Sequence, residues 1–503
     1  MRDTMLRRLL VIVAAMSVCL CAFAADPPLP RSTPEEQGLR SADVCEFLDA
    51  VVMQPDMAEA HSVIVVRHGH VVGEAYPLPF SPGYAHTLYS VSKTFTAAAV
   101  GLAVDRGLLS TDDQVGAILA DKMPAHVSAN LAAMRIGDLL TMSSGVTPDW
   151  EMRNRFTDWL PVWLSKPNRG PGKNFAYDSM CSYLLSAIVQ RVTGQTVLEY
   201  LNDHIFGPMG VTDAEWEVSP EGVNTGGWGL HVRPEVMAKF GQMLLDKGRY
   251  GGERLLSEQW VESMMTPHIR ANAAEHYGYQ MWQCGHMGAW RADGAYGQYI
   301  VVIPEKDMVV VMTQCSARGA AKSLAPVWKL AETAKSDALE PSDDAIALLR
   351  RQGEYAFRPA AGARANAGGA LIQDRTFRLP PSDLGWRAVT FSQQADRLVL
   401  RVITDGGSSY SIECGQSRWL TTHTPVPPPY SIKARSRFRG IRHDFAVSGS
   451  YGWLPDGTLN IAVVYPNWIS AAYLTFNPVA NTMTVRLNYQ TKPFTLKVTR
   501  AAR

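Results

Sequence analysis

Thr87-Leu88-Tyr89-Ser90-Val91-Ser92-Lys93-Thr94-Phe95 places a hydroxyl and an amine three residues apart where an extended segment turns helical. Val91, Phe95, Ala98 and Leu102 follow a helical period, and Arg106-Gly107 supplies a C-terminal stop. Ser90 and Lys93 therefore share one face of the first turn. At a helix start, unpaired backbone N–H groups can stabilise an oxyanion. A serine hydroxyl is a weak nucleophile until a base takes its proton, and a desolvated lysine can be that base. The spacing alone proves little, since Ser-x-x-Lys arises by chance roughly once or twice in a chain of this length. The plainer alternative is a capping serine followed by a solvated lysine.

Upstream, Val63-Ile64-Val65-Val66 and Val71-Val72 flank His68-Gly69-His70, which reads as a hairpin tip rather than a metal site. Downstream, helices are predicted over Met180–Val192, ended by Gly194, and over Glu235–Lys247. Strands then return at Tyr277–Gln283, Tyr299–Ile303 and Met308–Thr313. Strands at both ends of a helix-rich middle predict an α+β unit whose ends pair in one antiparallel sheet. The small-residue stretch from Pro359 to Ala370 reads as linker, and beyond it the helical period vanishes. Seven short strand-like runs between Leu398 and Val498 predict an all-β barrel or sandwich. The expected division is 1–24 leader, 25–340 catalytic unit, 341–370 linker and 371–503 β domain.

Across 503 residues, 48 Lys+Arg against 47 Asp+Glu leave a formal charge of +1, which excludes a polyanion-binding footprint. The 13 Trp, 18 Tyr and 15 Phe are core material that a disordered chain lacks. Arg2, Arg7 and Arg8, the apolar run Leu9–Leu20 and Ala22-Phe23-Ala24 have the layout of a cleavable secretory signal, which predicts a periplasmic or secreted protein without stable membrane insertion. Cys45, Cys181, Cys284, Cys315 and Cys414 then remain. A Cys284–Cys315 disulfide is conceivable, but five buried small hydrophobes is the favoured reading. Neither HExxH, CxxC nor Gly-x-Ser-x-Gly occurs.

Several segments in consistent order make the resemblance specific. The Ser90-Val91-Ser92-Lys93 segment, Ile136-Gly137-Asp138-Leu139-Leu140-Thr141-Met142-Ser143-Ser144-Gly145, Lys173-Asn174-Phe175-Ala176-Tyr177-Asp178-Ser179, Phe206-Gly207-Pro208-Met209-Gly210 and Gly294-Ala295-Tyr296-Gly297-Gln298 resemble the penicillin-recognising serine hydrolases. That family includes class C β-lactamases, D-amino-acid peptidases, esterases and nylon-oligomer hydrolases. The resemblance spans about residues 35–335 and implies a β-lactamase/penicillin-binding-like domain, with a five-stranded antiparallel sheet packed against helices. It implies Ser90 as acylating nucleophile, Lys93 as activating partner and Tyr177 as a phenol that shares the base role and returns a proton to the leaving group. Cationic neighbours would have to favour phenolate for Tyr177 to act so. The oxyanion hole would use the N–H groups of Ser90 and Ala295, beside Gly294. No metal or organic cofactor is implied.

Two departures bear on substrate. Ser179 stands where many relatives have Asn, and Ala292-Asp293-Gly294 replaces Lys-Thr-Gly. Without that cation, recognition of a β-lactam or peptide carboxylate is expected to be poor. The sequence thus points to an exported hydrolase of a small ester, amide or peptide. The alternatives are a D-amino-acid peptidase, a penicillin-binding enzyme or weak β-lactamase, and a non-catalytic wall- or ligand-binding protein. Trp150, Trp228, Trp282 and Trp290 read mostly as core, and His286 and Arg291 as solvated surface. The oligomeric state has no sequence signature here.

Overall fold

A computed structural model describes residues 27–53, 58–429 and 434–501. The leader reading lies outside the described residues. Ala58–Arg67 and His70–Ala75 form the expected hairpin, turning through His68 and Gly69 at φ 48° and 76°. Met308–Ser316 pairs antiparallel with Ala58–Arg67, so the two ends of the catalytic unit meet mid-sheet. Gln298–Ile303 and Trp290–Gly294 follow outward.

Alternation along Met308–Ser316 explains the layering. Val309 and Val311 enter one core with the helices Ser92–Asp105, Ser179–Thr193 and Pro234–Leu245. Val310 and Met312 enter another with the helices Ser41–Val52 and Ala325–Thr333. A strand buried on both faces reads as a continuous apolar run. Tyr277–Gln283 departs from expectation: it is two short strands, His276–Tyr277 and Trp282–Gln283, separated by a turn with Gln280 at φ 59°. The buried Gln280 side chain bonds the Leu139 and Leu140 carbonyls and Ser182 Oγ, which holds that turn.

The C-terminal chain forms an eleven-stranded, nearly closed barrel-like sheet. Phe494–Lys497 pairs with one edge strand, Thr482–Leu487, and Thr499–Arg500 pairs with the other, Arg375–Arg378. One residue, Val498, bridges the two edges and so covers backbone that would otherwise stay unpaired. Phe377, Phe391 and Phe476 pack inside, with Trp386, Trp453 and Trp468 fully buried. The strands Arg375–Arg378, Trp386–Gln393 and Leu420–Thr424 were not expected from the sequence. Three threonines and a histidine leave Leu420–Thr424 with almost no apolar alternation.

The connecting chain is more ordered than its composition suggests. Asp344–Glu354 is a helix pinned by Arg351 and Tyr355 to Asp49. Ala363 exchanges two backbone hydrogen bonds of 2.8 Å with Trp453, an approach that small side chains permit. Cys45, Cys181, Cys284, Cys315 and Cys414 are free thiols, all buried except Cys45. Among the described residues no helix is long and apolar enough to cross a membrane.

Candidate active site

Ser90 lies in a short 3-10 turn, Tyr89–Val91, immediately before the helix Ser92–Asp105. Tyr89 takes φ 47°, a left-handed conformation costly for a bulky residue, and its ring packs 5.6 Å from Trp468 of the C-terminal barrel. The turn that presents Ser90 is thus held from outside its own unit.

Lys93 is 1% exposed. Its Nζ donates to Ser90 Oγ at 2.9 Å, Ser179 Oγ at 2.9 Å and the Gly227 carbonyl at 2.6 Å, matching the three donors of an ammonium. Burial lowers its pKa to about 7, with Arg153 adding to the effect. A neutral amine is therefore well populated near neutrality and can accept the serine proton. Ser179 is fixed because Asp178 caps the helix Ser179–Thr193, accepting from Met180 N and from Trp163 Nε1. Gly227 fits where it does because it lacks a Cβ; one there would lie 2.6 Å from the Ser179 carbonyl oxygen.

Tyr177 faces Lys93, whose Nζ sits 4.9 Å from the ring centroid, and its hydroxyl hydrogen-bonds Ser90. Burial raises its pKa, and the nearby charge of Asp293 opposes ionisation further. Both effects favour the protonated phenol, which suits the proton-returning part of the role expected of Tyr177 better than a share in the base role.

A cleft of about 280 Å³ opens above these groups. Ser90, Tyr177, Ser179 and Ala295 lie along it. Gly294 sits just behind: a Cβ there would come within 2.5 Å of the Leu88 carbonyl, so glycine lets the strand Trp290–Gly294 approach the nucleophile turn. Asp293 lines the cleft and accepts from Arg291 Nε at 2.9 Å. Arg291 also pairs with Glu275 at 2.8 Å and is only 5% exposed, contrary to the surface reading. Trp150, Trp228 and Trp282 line the cleft instead of serving only as core; Trp290 alone of the four does not.

Two lining residues were missed altogether, Arg153 and Arg437. Arg153 lies in the turn of helix Met152–Arg155, stacked 5.2 Å from Trp150 and 4.8 Å from Trp228. Arg437 arrives from the C-terminal unit on segment 434–444, which runs along the catalytic unit. Arg435 N donates to the Arg153 carbonyl at 3.0 Å, Val218 N to the Arg439 carbonyl at 2.7 Å, and His443 Nδ1 meets Glu215 at 2.6 Å. Ser436 and Phe438 take φ 62° and 63° on either side of Arg437. Neither arginine belongs to a recognisable motif, and only the folded chain brings them together.

The beta-lactamase family model matches residues 51–332. A 6-aminohexanoate-dimer hydrolase from Paenarthrobacter ureafaciens is 24% identical over 310 residues, covering 56% of this chain and 79% of its own. A beta-lactamase from Escherichia coli (strain K12) is 22% identical over 315 residues, covering 48% and 81%. Among solved structures, a penicillin-binding protein homologue from Caulobacter crescentus is 16% identical with a TM-score of 0.48, covering 58% of this chain and 97% of that one. The family match ends before the barrel-like sheet begins.

Proposed function

The chain belongs to the beta-lactamase family of serine hydrolases, and from that premise we propose that it cleaves ester or amide bonds through an acyl-enzyme on Ser90. The observation that carries the reading is the buried Lys93 amine, 2.9 Å from Ser90 Oγ, whose pKa burial lowers to about 7.

In acylation, Ser90 Oγ attacks the carbonyl carbon while its proton passes to Lys93 Nζ. The backbone N–H groups of Ser90 and Ala295 donate to the developing oxyanion. Tyr177 gives its proton to the departing oxygen or nitrogen, and the Lys93 ammonium restores it. Both groups are then back in their starting states, with an acyl group on Ser90 and the alcohol or amine released. In the second half, Lys93 takes a proton from water, the resulting hydroxide attacks the acyl carbon, and Ser90 leaves with the proton returned.

Ala292-Asp293-Gly294 brings a carboxylate and no lysine to the place where a β-lactamase has Lys-Thr-Gly, which favours an esterase or amidase over a β-lactamase. The N-terminal Arg2–Ala24 segment supports action outside the cytoplasm. The test is mass spectrometry after incubation with a fluorophosphonate, an aryl ester and a penicillin. A covalent adduct on Ser90 that disappears in Ser90→Ala supports the reading. A wild-type protein that neither labels nor turns over any acyl compound refutes it.

A further inference from the structure

Burying a charge without a partner is costly, so an unpaired buried cation facing a catalytic cleft calls for an explanation. Arg153 is such a group. It is 5% exposed, lines the cleft with Ser90, and pairs with no carboxylate among the described residues. Its one side-chain hydrogen bond among them is from Nε to the Trp150 carbonyl, at 3.0 Å. The guanidinium lies over the Trp150 and Trp228 rings, 5.2 and 4.8 Å from their centroids, contacts that offer its N–H groups no carboxylate or carbonyl acceptor.

Arg437 makes the excess of positive charge larger. Its side chain is 2% exposed, stacked 4.8 Å from Trp468, and lines the same cleft. Among the described residues it has one carboxylate partner, Glu217 at 3.2 Å, and its buried Nε and Nη2 have no hydrogen-bond partner. Glu217 is itself held toward its neutral form by burial. Among the described residues the two guanidinium groups share one ion-paired carboxylate, Glu217; Asp293 in the same cleft is paired with Arg291, and Asp178 accepts from Met180 N and Trp163 Nε1. Burial lowers the Arg153 pKa to about 10, and the nearby charge of Arg437 adds to the effect. An anion placed between the aromatic walls would relieve both effects.

We propose that Arg153, backed by Arg437 of the C-terminal unit, is the specificity-determining anion site of the cleft, and that the substrate is an ester or amide carrying a free carboxylate. The site takes the place of the missing cation on the strand Trp290–Gly294 and requires both halves of the chain. It rests on the Ser90 reading only for its catalytic readout, since binding can be measured without turnover.

Two pairs of esters test it on either side of the scissile bond. The first is the para-nitrophenyl monoester of glutaric acid against that of glutaramic acid; the second is the butyryl ester of para-hydroxybenzoic acid against that of para-hydroxybenzamide. The wild-type protein should prefer the acid over the isosteric amide in one pair, which also tells which product bears the carboxylate. Arg153→Gln should lower that kcat/KM ratio by about thirtyfold or more, the range for a lost partner of a buried charge. Arg153→Lys should retain part of the ratio, and Arg437→Gln should lower it less than Arg153→Gln. Rates that fall together at constant ratio in Arg153→Gln, or no acid preference in either pair, would overturn the proposal. Glutarate or para-hydroxybenzoate should raise the Tm of Ser90→Ala and not that of Arg153→Gln. That shift separates failure of the anion site from failure of the catalytic serine, because it persists in a protein that cannot acylate. Fluorophosphonate labelling of each arginine variant reports whether it is folded.

Discussion

Lys93 Nζ lies 2.9 Å from Ser90 Oγ at a point where solvent reaches only 1% of the lysine. Desolvation, rather than a charged partner, brings the amine into the range where it can accept a proton. Activity should therefore rise with pH through about 7, as Lys93 loses its proton. A kcat/KM profile for an aryl ester should show this ascending limb. A flat profile from pH 5 to 9, in the same protein, would remove Lys93 as the base.

The same shift has a stability consequence of definite sign. Between the folded pKa of about 7 and the ordinary lysine value, the unfolded chain binds the extra proton. Folding stability attributable to Lys93 thus rises with pH across that window, and the penalty is full below 7. Lys93→Met should abolish turnover yet raise Tm by a few degrees near neutral pH, a trade of activity for stability. A lower Tm in that variant would mean that the three hydrogen bonds of Lys93 outweigh its desolvation.

Tyr177→Phe should reduce kcat by about a hundredfold or more, as expected for loss of a general acid. Because burial raises the phenol pKa, wild-type activity should hold between pH 8 and 10 rather than decline through Tyr177 ionisation. Near-normal turnover in Tyr177→Phe would take the phenol out of the mechanism.

Gly294→Ala should lower kcat while leaving the protein folded. The added methyl meets the Leu88 carbonyl and pushes the strand Trp290–Gly294 away from the nucleophile turn, opening the gap between Ser90 and Ala295. The discriminating comparison is kcat against KM for one aryl ester, with circular dichroism as the control for folding.

Trp468→Ala removes a fully buried ring that touches both Tyr89 and Arg437. A stability loss of about 3–5 kcal/mol is expected from the cavity. Turnover should fall as well, because Tyr89 loses the wall that holds its left-handed conformation. Wild-type turnover below the new Tm would show that the catalytic unit positions Ser90 by itself.

Much of this architecture was legible because periodicity and turn chemistry agree locally. The Val63–Val66 and Val71–Val72 runs, the Ser179–Thr193 helix with Gly194 at its end, and the strand after Pro304 all declare themselves. So does the Ser90 and Lys93 pairing, a matter of helical spacing. What the sequence hides depends on distant contacts. Gly227 contributes only a backbone oxygen, and a glycine gives no hint of which lysine it serves. Arg153 and Arg437 look like ordinary surface cations until Arg435 joins the Arg153 carbonyl. Arg291 is buried by ion pairs to Glu275 and Asp293 that no local pattern announces.

The bridging of the barrel edges by residues 494–500 carries a lesson about timing. Ribosomes add roughly 5–20 residues each second, so the segment bearing Arg437 leaves them tens of seconds after Ser90, Lys93 and Tyr177. Edge closure comes later still. The Ser90 segment is made early and the Arg437 segment late, so a half-synthesised chain carries Ser90 without the C-terminal residues that wall its cleft and brace its turn.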